Sequence, residues 1–134
     1  MSPVDDALTE EIIGGGIEVH KFLGPGALES SYENCLAFEL GLRGLEVQRQ
    51  VYLPLRYKGF DIDAGYRIDL IVEGQVIVEV KAVEHLHPIC TAQLLTYMKL
   101  SGISVGLLCN CHVELMKDGI RRLELKDPVF RREP

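Results

Sequence analysis

The chain has no tryptophan, and no apolar run approaches the roughly 18 residues that a membrane-spanning helix requires. No membrane association is expected. The opening stretch, "MSPVDDALTEEII", carries acids where a secretory signal carries bases and has no continuous apolar core, so a cytoplasmic location is the expectation. Four cysteines, Cys35, Cys90, Cys109 and Cys111, make an even number. They sit in apolar surroundings without an export signal, which points to reduced, buried thiols rather than disulfides. A basic stripe is also lacking. The net charge is −6, with nine acids against two bases in residues 1–48 and eleven acids against twelve bases in residues 49–134. A polyanion would have to approach the second part or be helped by a cation.

No repeat, low-complexity tract or linker interrupts the 134 residues, a length that fits one domain, residues 1–134. From Asp5 to Leu23 the positions Leu8, Ile12, Val19 and Phe22 form one helical face, with acids early where the helix dipole favours them. The triplet Gly14 to Gly16 inside this helix costs roughly 1 kcal/mol per residue against alanine, which suggests that another element packs closely there. "LGPG" then stops the chain. A second helix is expected from about Ala27 to Arg43, with a stripe of Leu28, Tyr32, Cys35, Leu36 and Leu42 and a stop at Gly44.

Beyond Gly44 the period becomes twofold. "LEVQRQVYLPLRY" reads as a strand, with Pro54 marking an edge position or a bend. "RIDLIVEGQVIVEVKA", Arg67 to Ala82, reads as a hairpin. Pro88 opens a third helix that Gly102 closes. "ISVGLLCNCHV" is a further strand, "KDG" turns the chain, and "IRRLEL" is the last strand; the tail after Asp127 is expected to fray. The order α, α, β, β, β, α, β, β describes an α/β sandwich with a mixed central sheet and helices on its faces.

The hairpin carries three charges among its apolar residues: Asp69, Glu79 and Lys81. Glu79 and Lys81 are two apart and share one strand face. A half-exposed strand with a charged outer face would account for them, but Ile71 and Ile77 make that face apolar too, as in a sheet covered on both sides. Charges there cost several kcal/mol each unless paired or bound to a metal. Carboxylates are hard ligands suited to Mg²⁺, and a lysine can orient water and offset charge on a phosphoryl transition state. The register decides whether the carboxylates meet. A two-residue turn puts Asp69 on the wrong face, whereas a three-residue loop, Glu73 to Gln75, sets Asp69 opposite Glu79. A three-residue loop or a bulge is therefore expected, with the carboxylates within about 6 Å of each other.

Asp69 followed by Glu79-Val80-Lys81 resembles the signature of the PD-(D/E)XK nuclease superfamily, with Ile68 where its name has proline. "GALESSY", supplying Gly26, Glu29 and Tyr32, together with "VHKFLGPG", "AQLLTYMKLSG" and "LMKDGI", resembles the GxxExxY group within it, over a core from about Leu8 to Leu125. The resemblance implies a restriction-endonuclease-like αα-βββ-α-ββ core and hydrolysis of phosphodiesters in DNA or RNA. It implies Mg²⁺ or Mn²⁺ held by Asp69 and Glu79, Lys81 as the catalytic lysine, and Glu29 and Gln93 in support. Tyr97, four residues after Gln93, and with it Tyr32 and His20, would position substrate. Arg121 and Arg122 are candidate phosphate contacts.

The alternative is a non-catalytic module that retains this fold and binds nucleic acid or a protein, a reading that acidic net charge favours. A homo-oligomer whose charges form buried ion pairs is a third. "HLHPIC" and "CNCH" hold enough soft ligands for zinc, but their spacing fits no zinc pattern, and Cys109 and Cys111 alternate in phase with the core-facing Val105 and Leu107.

Overall fold

The computed structural model describes residues 6–126, so Asp5 and the tail after Asp127 lie outside the described residues. Helices α1 (Asp6–Leu23) and α2 (Glu29–Leu42) meet at the glycine triplet. A Cβ on Gly15 would stand 2.8 Å from Leu40 Cδ2, and one on Gly16 3.0 Å from the Tyr32 hydroxyl. That hydroxyl instead donates to the Gly16 carbonyl at 2.7 Å. The glycines thus give up helix propensity for contact between helices, as expected from their position.

Two details of the helix faces differ from the periodicity. Phe22 is exposed, because Leu23, a 100° step further around α1, occupies the inward stripe with Ile12 and Val19. On α2 the buried stripe runs Tyr32, Leu36, Leu40, whereas Leu28 precedes the helix as its N-cap and Leu42 faces outward.

Among the described residues, five strands take the expected order: β1 (Val47–Tyr57), β2 (Phe60–Val72) and β3 (Val76–Lys81), then α3 (Pro88–Ser101), β4 (Val105–Asn110) and β5 (Ile120–Glu124). They lie side by side in sequence order. Of these neighbours only β3 and β4 are parallel, since α3 carries the chain back between them. A short 3-10 helix, Met116–Gly119, leads into β5. The helix α3 opens on Pro88 behind His87, whose Nδ1 accepts the Ile89 amide at 3.0 Å. It closes on Gly102 at φ 78°.

The central strands β3 and β4 are buried on both faces, apart from the half-buried Lys81 at the end of β3, so apolar residues point to either side of the sheet. One core joins α1 and α2 to Leu70, Val78, Leu107, Cys109 and Cys111. The other joins Leu94, Tyr97 and Met98 of α3 to Ile68, Ile71, Ile77 and Leu108. Strand β1 is an edge strand, and its register with β2 shifts around Pro54, between Leu53 and Leu55.

Candidate functional site

Val72 pairs with Val76 and Leu70 with Val78, so the loop is the three-residue one, Glu73 to Gln75. Glu73 and Gly74 both adopt positive φ, 55° and 64°, and the Gln75 amide closes the turn on the Val72 carbonyl at 2.9 Å. This register carries Asp69 to the position opposite Glu79.

Regular pairing between β2 and β3 ends at Leu70 and Val78. At the next step the two acids take over the strands' hydrogen bonds: the Asp69 amide donates to Glu79 Oε2 at 2.8 Å, and the Val80 amide donates to Asp69 Oδ2 at 2.9 Å. The sheet forks here. Ile68 packs with the α3 core although Leu70, two residues later, packs with the other, so β2 rotates as it leaves β3. Across the ladder on β1, Gln50 has φ 50°, an uncommon conformation for a residue with a side chain. The pairing of β1 with β2 skips Gln50 at the same level, between Arg49 and Val51.

The fork gathers a third acid. Gln50 Nε2 donates to Glu33 Oε2 on α2 at 2.7 Å and reaches Asp69 Oδ1 at 3.4 Å. Arg49 Nη2 lies 3.8 Å from the same Glu33 oxygen. Glu33 and Glu79 are both buried, at 6% and 4% exposure. Burial pushes the Glu79 carboxyl up to about 8, with the Asp69 charge adding to the rise and Lys81 opposing it. Burial also raises Glu33, against the hydrogen bond from Gln50. Tyr97 shares this field: its hydroxyl is raised by burial first and then by Glu79 and Asp69, and its ring meets Tyr66 edge-on at 5.9 Å.

Lys81 ends β3 half-buried, on the Glu79 face by strand alternation. Asn110 fixes the chain just beyond it. The Asn110 Oδ1 accepts the amides of Val83 and His112 at 3.1 and 3.2 Å, and its Nδ2 donates to the Val83 carbonyl at 2.9 Å. The Cys111 amide bonds the Lys81 carbonyl at 2.8 Å.

The remaining residues singled out in the sequence fall in different places. Glu29 is exposed in the first turn of α2, one turn before Glu33. Gln93 is exposed on α3, one turn before Tyr97. Tyr32 is fully buried and ties α2 to α1, and His20 Nε2 bonds the Val113 carbonyl at 2.7 Å and ties α1 to the segment after β4. Arg121 and Arg122 lie on β5, two strands beyond β3, and Arg122 pairs with Glu124 and Asp6. Cys109 and Cys111 point into the α1 and α2 core, where burial holds the Cys109 thiol up at about 12. His87 caps α3, and His112 is exposed.

Three residues of the cluster are not apparent from the sequence. Glu33 reads as one more helix glutamate, four residues after the exposed Glu29 and beside the buried stripe. Gln50 and Asn110 give no signal, since polar residues in strands usually face water.

Among the described residues no three His, Cys, Asp or Glu side chains converge on one point as a ready metal cage. Asp69 and Glu79 do form the two-carboxylate set that Mg²⁺ takes together with several waters. Each accepts one backbone amide, which leaves lone pairs for a cation. Burial and the Asp69 charge hold the proton on Glu79, and a cation between the two carboxyls would favour its ionised form, so the residues fit the ion.

A family model described as the PD-(D/E)XK nuclease superfamily matches residues 6–123 of the chain. No curated protein and no solved structure matches it.

Proposed function

The chain belongs to the PD-(D/E)XK nuclease superfamily, and we propose that its fork at Asp69 and Glu79 is a divalent-metal-dependent site that hydrolyses phosphodiester bonds in DNA or RNA. The observation that carries this reading is the pair of carboxylates, each bonded to the other's strand at the point where the sheet opens. The motifs around Gly26, Glu29 and Tyr32 support, in this reading, membership of the GxxExxY group.

Asp69 and Glu79 would hold Mg²⁺ or Mn²⁺, which when bound polarises a phosphate oxygen and lowers the pKa of a bound water. Lys81, on the Glu79 face, orients the attacking water and offsets the negative charge that builds on the phosphoryl oxygens as the water oxygen bonds to phosphorus and the sugar oxygen departs. Gln50 positions Asp69 and Glu33 at once through one amide. Glu33, not the exposed Glu29, is the supporting acid from the second helix. Tyr97 walls the cluster on the α3 side, and Gln93, one turn earlier, lies where substrate would approach.

The second reading, an interaction module without turnover, is favoured by that same Gln50 amide, which satisfies Glu33 and Asp69 without a metal. Cleavage separates the two. Labelled single and double strands of DNA and RNA are incubated with the chain in Mg²⁺, Mn²⁺ or EDTA. Metal-dependent cleavage that Lys81→Ala abolishes supports hydrolysis, whereas equal cleavage by Lys81→Ala rejects the role of this lysine. No cleavage of any strand leaves the module.

A further inference from the structure

Beyond the fork, β1 and β2 run on as a two-stranded ribbon. Strand β2 pairs with β3 only from Leu70 to Val72, but with β1 from Val72 back to Phe60. The ribbon is closed by Lys58 and Gly59, both at positive φ, 51° and 82°. Its outer half has no second strand beside it among the described residues and exposes large apolar rings: Tyr52, Tyr57 and Phe60 are 50%, 60% and 70% exposed.

Tyr57 and Phe60 pair with each other, whereas Tyr52, paired with Arg67, lies on the other face. Leu53 pairs with Tyr66, Leu55 with Ile62 and Tyr57 with Phe60, so these three pairs share one face of the ribbon. Tyr66 in turn touches Tyr97, the ring that feels the charges of Glu79 and Asp69. Rings therefore stand at both ends of this face, Tyr66 near the acid fork and Tyr57 with Phe60 at the ribbon tip, with Leu55 and Ile62 between them. Four of the nine Phe and Tyr residues of the chain fall between residues 49 and 67. So do four bases against two acids, in a chain of net charge −6; Arg56 pairs with Asp61 and Arg49 with Glu33, which leaves the ribbon locally basic and open to a polyanion. Lys58 stands at the tip, 5.4 Å from the centre of the Tyr57 ring, and Arg49 stands at the fork.

We propose that the β1–β2 ribbon is a strand-holding arm: a single strand of DNA or RNA lies along Tyr66, Phe60 and Tyr57 with bases against the rings and phosphates toward Lys58, and is led into the Asp69 and Glu79 fork. The inference rests on the nuclease reading for its choice of polymer. Stacking needs unpaired bases and tolerates any sequence, so the arm selects single strands over duplex.

Binding in EDTA isolates the arm from catalysis. Fluorescence anisotropy is followed with labelled dT and U homopolymers and with a duplex of equal length, on wild type, Tyr57→Ala/Phe60→Ala and Lys58→Ala, each checked for an unchanged thermal midpoint. The expected results are tighter binding of single strands than of duplex and a loss of at least about tenfold for the aromatic pair at fixed salt. Lys58→Ala should flatten the dependence of log affinity on log salt by about 0.7. Loss of binding in the variants supports the arm even if no cleavage is found in Mn²⁺, an outcome that would remove only the nuclease reading. Wild-type affinity in the aromatic variant overturns the arm, as does equal affinity for duplex. So does a variant that changes only the sedimentation of the chain, which would mark the ribbon as a contact between copies.

Discussion

The backbone amide of Asp69 donates to the carboxylate of Glu79 at 2.8 Å, a bond that in an uninterrupted ladder would run to a backbone carbonyl. The Glu79 side chain thus substitutes for the sheet at the point where the sheet opens. The acids are part of the backbone hydrogen bonding of the fork, and changes at Glu79 act on stability as well as chemistry.

Glu79 should be a main contributor to the pH dependence of folding, with Glu33 raised in the same direction. In the unfolded chain its carboxyl ionises at the ordinary value of 4.5, whereas in the fold it holds its proton up to about 8. Between these values the folded state binds more protons, so stability falls as pH rises, from full strength below 4.5 to its lower level above 8. Glu79→Gln keeps an acceptor for the Asp69 amide and carries no charge. Urea midpoints measured from pH 5 to 8.5 in EDTA should fall in wild type and stay flatter in the variant, which should be the more stable near pH 8. Parallel profiles would contradict this role of Glu79.

The two acids of α2 should separate in activity. Glu33 is tied to Gln50, and through it to Asp69, whereas Glu29 is exposed. If the fork cleaves, Glu33→Ala should lower metal-dependent cleavage by about tenfold or more, since general positioning of acid–base groups is worth that much. Glu29→Ala should change it by less than about threefold. The reverse order, read from initial rates, would assign the supporting role to Glu29.

Packing behind Lys81 gives a stability test. A Cβ at Gly119 would be driven onto the Asn110 carbonyl oxygen and to 3.0 Å from Val113 Cγ2. Gly119→Ala should cost about 1–3 kcal/mol, visible as a lower thermal midpoint. At Gly41, within α2, a Cβ meets nothing within 4 Å, and Gly41→Ala should add about 0.5–1 kcal/mol through helix propensity. Equal midpoints for the two variants would show that the Asn110 turn yields easily.

Element order is legible in the sequence because the elements print their periods: β3 and β4 are short runs rich in Val, Ile and Leu, and α3 is bracketed by Pro88 and Gly102. The register of Asp69 against Glu79 comes from the parity of a three-residue loop. The ribbon does not announce itself. The second strand reads as starting at Arg67, but it begins at Phe60, because Phe60 to Asp63 are exposed and no burial imposes alternation on them. Glu33 looks like any helix glutamate until α2 is docked on the sheet. The positive φ of Gln50 is set by the tertiary fork and has no local signal such as a glycine.

The function of the fork stands on Asp69 and Glu79 taking one divalent ion between them. Mn²⁺ is titrated calorimetrically at pH 8.5, above the range in which Glu79 holds its proton, into wild type, Lys81→Ala and Asp69→Ala. One ion should bind per chain in wild type and in Lys81→Ala, with the heat lost in Asp69→Ala. Equal binding by Asp69→Ala, or no binding by wild type, would contradict it.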